Sequence, residues 1–596
     1  MNMNQRLDAS HARRRGAALV FAVFALLAAA TLVSVTMTLS QSANRISNVK
    51  RHDKQARYLA EGAVEVAKRE IAQAVASFKN PPASGSLDID GVRVDWTIQP
   101  NGFTATQTDP AGIQTMVSGY NVEAVATVQG MEHTAHRMVN ALASPIFQFA
   151  VFYDNDLEVN PGPNMTLRGR VHSNSNMYLN CGNTLTVDTN YLHAVGGIYR
   201  YRKDDPSVSS GTVDVRKWVD NPFDPLEPSS FFKMYSASQM SSMGIGSAPL
   251  DSDFAGFDMD GNGNPVDPGD WLPWGPGAVE WWGPEYDYTG SSGQTVMDSA
   301  HGVQTAAVPL LDSIAMFEAD AGGSWDYNPA TGDYTAVAPG TGAYSKGYYH
   351  DQAGLTLLTK PDGTIKAYGA GGVALTLPGG IAQVKSIYDA RQGGYVKVTE
   401  IDMDALNSSG LFPSNGLLYA ANPGSGTGTS AGGVKLVKGS KLAAALTVVS
   451  ENPVYVQGDY NTVNKKGASV LCDAINLLSN AWTDSKGSSG LPTATETTFN
   501  LAFVTGNQDT VSGGAYNGGL ENLPRFHESW TGKKCNLKGS LVNLWNSQHG
   551  TGAWKYGGNV YTAPNRVWSY DTDFNNAANL PPFTPLAVTT VDVVVW

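Results

Sequence analysis

The sequence predicts a mainly β protein carried on one long N-terminal α-helix, and three observations lead there. An uncharged run of 29 residues, Gly16 to Asn44, continues into a helix-spaced apolar pattern ending at Phe78. Charged residues make up only 16% of the chain while glycine appears 64 times, against usual values of ~25% and ~7%. From Ser144 onward, short runs of Val, Leu, Ile, Phe and Tyr alternate with Asn, Gly and Asp, as strands alternate with turns.

The helix comes first in the chain. Ala17–Leu39 is almost wholly apolar, and roughly 20 such residues cross a hydrocarbon core. Arg13, Arg14 and Arg15 precede the run; Arg45, Lys50, Arg51, Lys54 and Arg57 follow it. Beyond them Val64, Ala67, Ile71, Ala74, Val75 and Phe78 keep a helical spacing, and Asn80-Pro81-Pro82 stops it, because proline lacks the amide donor and disfavours helix in the residue before it. A continuous helix over residues 17–79 would be about 95 Å long at ~1.5 Å per residue.

Charge is divided in the same way. Residues 1–57 hold nine Lys/Arg against two Asp, net +7, which leaves −20 on the rest of a chain whose total is −13. The basic end suits an anionic membrane face, and the acidic remainder argues against nucleic acid as a partner.

The segment from Arg13 to Ala72, with Tyr58-Leu59-Ala60-Glu61-Gly62-Ala63 in its second half, resembles the N-terminus of PilX-type minor pilins and of the K-type pseudopilins of type II secretion. The resemblance covers about 65 residues. It implies a basic leader, residues 1–16, cut by a prepilin peptidase between Gly16 and Ala17. It further implies assembly with other pilin or pseudopilin subunits through the helix, and a C-terminal part outside the cytoplasm, anchored by one pass through the inner membrane. Phe21 stands where major pilins carry Glu, a departure shared with the K-type pseudopilins. The rival reading is a secretory signal peptide with its cut after Ala28-Ala29-Ala30, leaving Thr31 first. Segments further along, such as Ala445–Tyr460 and Gly519–Trp530, resemble large PilX-N-terminal proteins, which implies a class and a compartment but no activity.

Residues 80–143 read as a small β unit. Leu87–Ile98 forms a hairpin about Asp90-Gly91, and Tyr120–Val128 and Met131–Ala141 pair through Gln129-Gly130. Residues 144–596 read as one large β domain, a parallel β-helix or alternatively a sandwich, with no strict repeat period. Within it, about 200–394 reads as an inserted aromatic-rich lobe with a few helices, such as Pro309–Ala321.

Candidate sites follow from local chemistry. Asp258, Asp260, Asn262, Asn264, Asp267 and Asp270 place oxygens at alternate positions around Gly261 and Gly263, as in a Ca²⁺ loop, although Gly269 stands where a closing carboxylate belongs. Trp271, Trp274, Trp281 and Trp282 could form a carbohydrate platform or a lobe core. Cys181, Cys472 and Cys535 allow one disulfide, Cys181–Cys535 or Cys472–Cys535. His172-Ser173-Asn174 and His527-Glu528-Ser529 hold nucleophile-and-base residue types, but neither lies in a nucleophile elbow, so rung capping is the simpler expectation. No rung shows a clustered acid–base set in sequence; Asp154, Asp156 and Glu158 come nearest.

These readings combine into a non-enzymatic pilin-like or pseudopilin-like filament component that displays a β domain for assembly or adhesion, with a tip position and a surface glycan as target. The alternative is a membrane-anchored or secreted β-helix enzyme acting on polysaccharide. No cofactor is expected beyond Ca²⁺.

Overall fold

The computed structural model describes residues 4–595 except 110, 190, 206–210, 217–230, 235–295, 300–301, 319–324, 329–332, 337–344, 423–427, 486–489, 512–515, 553 and 555–559. One helix, α1, runs unbroken over Asn4–Ala76, 73 residues. Its two halves have opposite environments. Ala60, Ala63, Val64, Ala67 and Ile71 are buried, whereas Leu19, Phe21, Phe24 and Leu26 are each about two-thirds exposed or more (68, 76, 67 and 70%).

The buried half packs on a five-stranded antiparallel sheet. Ser84–Ile89, Val92–Thr108, Gln114–Val128 and Met131–Pro145 follow in sequence order, and the last strand of the chain, Leu586–Val595, adds to the edge of Met131–Pro145. Both expected turns are there: Asp90-Gly91 and Gln129-Gly130 all have positive φ, the twist a tight hairpin requires. Trp96, Ile98, Tyr120, Val122, Val139 and Val588 meet the helix, each large side chain contributing roughly 1.5–3 kcal/mol through burial. Polar links fix its rotation. Glu61 pairs with Arg137, Lys68 lies 3.2 Å from Asp592, and the Trp96 indole donates to Glu70 at 3.0 Å.

The helix stops at Ala76, short of the Pro81-Pro82 stop. Phe78 takes a left-handed conformation at φ 57° while its ring stacks on Tyr348 at 4.5 Å and 8°. Lys79 N–H closes onto Ala74 O at 2.8 Å. A non-glycine residue there costs of order 1 kcal/mol, and the stacking offsets it.

After Pro145 the chain winds around three faces. On the first face Val151, Val171 and Leu192 stand side by side in parallel strands, so one circuit takes 20 and then 21 residues. The second face receives Leu157–Val159, Met177–Leu179 and Ile198–Tyr199, and the third Met165–Arg168, Thr184–Asp188 and Thr212–Arg216, again parallel. Inward side chains such as Val151, Leu157, Leu167, Val171, Met177 and Leu185 fill one continuous core.

A second series of coils winds the same three faces from Leu355 to Tyr570. Its first-face strands, Leu355–Thr359, Leu417–Ala421, Leu446–Ser450, Ala468–Cys472, Ala502–Asn507 and Leu541–Asn546, are all parallel. Leu541–Asn546 then pairs with Val151–Tyr153, so the last coil lies against the first. The chain therefore enters this body at its middle, winds to one end, crosses back outside, and winds to the middle again. Both exits lead into the five-stranded sheet, where Pro145 faces Leu586.

The crossing segment lies on the outer side of the first face. Ala307 bridges Val588, Asn174 and Ala306 exchange two hydrogen bonds (2.7 and 3.0 Å), and Tyr419 donates to Ile314 O at 3.0 Å. Ile314, Met316 and Tyr349 there cover Phe152, Leu358, Val449, Val504 and Val542, forming a second core layer. The helix expected near Pro309–Ala321 is only a 3₁₀ turn, Leu311–Ile314, followed by extended chain, because Met316 N–H is drawn to Glu451 Oε2 at 2.7 Å. Nor is 200–394 set apart where it is described. Thr212–Arg216, Val296–Met297 and Leu355–Thr359 pair into the coil sheets themselves.

Candidate functional site

The uncovered half of α1 is the plainest functional surface. From Gly16 it is long and apolar enough to cross a membrane, and its most apolar window is covered by none of the other described residues. Its three threonine hydroxyls are turned onto the helix backbone: Thr31 donates to Leu27 O at 3.0 Å, Thr36 to Val33 O at 2.9 Å, and Thr38 to Ser34 O at 2.8 Å. Such back-bonding removes the donors that hydrocarbon could not satisfy. Gly16 and Ala17 lie within continuous helix and are exposed, and nothing stands within 4 Å of the Gly16 Cβ position.

The other sites named from sequence scatter. Asp258–Asp270 and Trp271–Trp282 lie outside the described residues. Cys181, Cys472 and Cys535 are all free and buried, so neither expected disulfide forms. Cys472 ends a first-face strand, Cys535 begins to pair on the third face with Thr497 and Arg566, and Cys181 lies in a turn against Thr212 O at 3.1 Å. Different faces of the coil keep them apart.

His172 stacks on Phe152 at 4.9 Å and donates from Nε2 to Asn174 Oδ1 at 3.1 Å, while Ser173 Oγ donates to Asn155 O at 2.9 Å. Burial depresses the His172 pKa to about 4. These residues tie neighbouring coils and leave no nucleophile in reach of a base. His527 donates from Nε2 to Asn476 Oδ1 at 2.8 Å, and burial lowers its pKa to about 3. Its neighbour Glu528 accepts from Ser479 Oγ at 2.6 Å and Ser479 N at 2.7 Å, and burial pushes its pKa up to about 7.

Asp154 and Asp156 are likewise tied into the coils. Asp154 accepts from Asn174 Nδ2 at 2.7 Å, and Asp156 accepts from Ser175 Oγ at 2.6 Å and pairs with Lys203 at 2.8 Å. Glu158 is buried where first and last coils meet, beside Glu521, which accepts from Asn160 N at 2.8 Å; burial raises both to about 7.

Sequence reasoning missed one charged cluster on the outer side of the second face. Glu400 and Lys435 are side by side across parallel strands. Lys435 Nζ lies 3.0 Å from Glu400 and 2.6 Å from Asp484. Lys438 pairs with Asp402 at 2.6 Å. The cluster borders an open groove of about 740 Å³ with Gln457, Asp459, Asn480, Trp482 and Thr483. Its members lie 35 and 49 positions apart in the chain, so no spacing motif announces them. The only signal is charge at outward positions of GYVKVTEID and GVKLV.

The fold defined by these features is a coiled β body held beside a sheet-docked, half-exposed apolar helix. No family model matches the chain, and no curated protein does. Among solved structures it is similar to the competence-associated pilin ComZ from Thermus thermophilus, at 11% identity over 91% of this chain and 97% of that one, with a TM-score of 0.26. At that score the likeness carries no argument about function.

Proposed function

We propose that this protein is a non-enzymatic, PilX-like or K-type pseudopilin-like component of a type IV pilus or type II secretion-related filament, anchored by one pass through the inner membrane. The observation that carries this reading is the division of α1. One half is buried against its own sheet, while the other, from Gly16, presents leucines and phenylalanines that no other described residue covers. A helix that only anchored the domain would need no rigid continuation. Here the same unbroken helix reaches Ala76 and is clamped through Glu61, Lys68 and Glu70, so any helix–helix contact made in the membrane fixes the orientation of the whole domain.

The basic leader, a prepilin peptidase cut after Gly16, and membrane-borne pilin or pseudopilin subunits as partners belong to this reading. So does a tip position, supported by Phe21 in place of the usual Glu and by a domain too bulky to repeat along a shaft. A Ca²⁺ ion at Asp258–Asp270, with Asn262 and Asn264, and a glycan platform at Trp271–Trp282 are further parts of the proposal.

N-terminal sequencing of the mature protein tests it. Ala17 as first residue, with Gly16→Val blocking the cut, is expected. Thr31 would mean signal peptidase, a released β domain and no filament role.

A further inference from the structure

We propose that the groove on the second face is a binding site for an oligosaccharide that carries no acidic groups. This goes beyond the filament reading and does not depend on it. The groove lies on adjacent parallel strands, whose outward side chains stand about 4.8 Å apart in rows. Lys435, Val437 and Gln457 come from the strands, and one wall is the turn Trp482–Asp484. That turn is fixed: the Trp482 indole donates to Asp484 Oδ1 at 3.0 Å, Gln457 Nε2 donates to Trp482 O at 3.1 Å, and Tyr388 N donates to Asp484 O at 3.1 Å. The volume of about 740 Å³ falls within the ~300–1,000 Å³ of small-ligand sites.

The bonding inventory selects the ligand. Lys435, only 2% exposed, is committed to Glu400 and Asp484, and Lys438 is committed to Asp402. Among the described residues that line the groove, no cation is left to hold a uronate, sulfate or phosphate. Acceptors remain. Each carboxylate has about four lone-pair positions, and Glu400 spends one oxygen on Lys435 and the other on Gln383, Asp484 one on Lys435 and Trp482, and Asp459 one on Thr498 N. The groove-lining groups Glu400, Asp459 and Asp484 outnumber the two lysines by one charge. A surface rich in fixed acceptors with slight negative charge matches a chain of hydroxyl donors.

The test uses the full-length protein in detergent micelles on an array of defined neutral, amino-sugar and uronic-acid oligosaccharides, followed by calorimetric titration with the tightest binder. Binding to uncharged or amino-sugar chains, without shortening of the chain, is expected. Thr483→Trp, at an exposed rim position, fills the groove without touching the buried network. It should weaken binding at least tenfold at an unchanged melting temperature. Glu400→Gln should weaken binding too, and its melting curve separates lost contacts from a disturbed Lys435. Silence on the array, binding restricted to uronates, cleavage of the chain, or affinity indifferent to Thr483→Trp would each overturn the proposal.

Discussion

Replacing Glu528 by Gln should stabilise the protein at pH 8 and leave it unchanged near pH 4.5. Glu528 is fully buried, and its two oxygens meet Ser479 Oγ and Ser479 N. Burial raises its pKa from 4.5 to about 7. A carboxyl whose native pKa lies above its unfolded value favours folding when protonated. The stability it supports is complete below about pH 4.5, is lost as pH climbs, and is gone above about pH 7. The penalty at pH 8 is the difference of about 2.5 units at ~1.4 kcal/mol each, or about 3 kcal/mol. Gln keeps an acceptor for Ser479 N–H and offers an amide to Ser479 Oγ, so it removes the charge and little else.

His527, lowered to about 3 by burial, works in the opposite sense, losing stability as pH falls below 6.5. The wild-type profile therefore mixes both slopes, and the difference between variant and wild type isolates Glu528. For a coil body of roughly 440 residues, unfolding entropy of ~2.1 cal/mol/K per residue converts about 3 kcal/mol into about 3 °C. Melting curves of both proteins at pH 4.5, 6 and 8 are the assay. Parallel curves, with no widening gap between pH 4.5 and 8, would refute the assignment of a protonated, uncompensated Glu528.

Native protein should show no thiol reactive to an aromatic disulfide reagent and three after denaturation, since all three cysteines are free and buried and burial pushes Cys535 up to about 12. A count below three in the unfolded, unreduced chain would reveal a disulfide. Gly539→Ala should destabilise by several kcal/mol in melting experiments, because its Cβ would lie 1.9 Å from Leu501 O, a backbone atom that cannot swing aside. Phe78→Asn, which tolerates φ 57° but loses the ring stacked on Tyr348, should speed amide exchange and proteolysis around residues 77–82 without unfolding the coils.

What was legible in the sequence was local. Twenty-nine uncharged residues can be little other than a long apolar helix, and Asp90-Gly91 and Gln129-Gly130 mark their hairpins because only a few residue types accept positive φ in sequence. The repeated β texture was visible too, but its period was not, since circuits on the first face vary from the 20 residues between Val151 and Val171 to the 63 between Leu355 and Leu418. The helix end was misjudged because the residue that sets it, Tyr348, lies 270 positions from Phe78. The same reason hides the groove. Glu400, Lys435 and Asp484 converge through strand register, which alternation alone does not reveal. The cysteines show the converse, three residues that chemistry could join and topology keeps on separate faces.

The mid-body entry has a consequence for biogenesis. During synthesis the chain delivers Val151–Tyr153 well before Leu541–Asn546, the strand that covers its edge some 390 residues later. During that interval the first coils expose a parallel sheet edge, the kind of surface that recruits stray strands, and closure depends on one of the longest-range contacts in the molecule, hence a slow step. Folding should therefore lean on a holding factor, and truncation anywhere before Leu541 should yield insoluble material rather than a shorter stable body, a result that pulse-labelled expression of nested truncations would display directly.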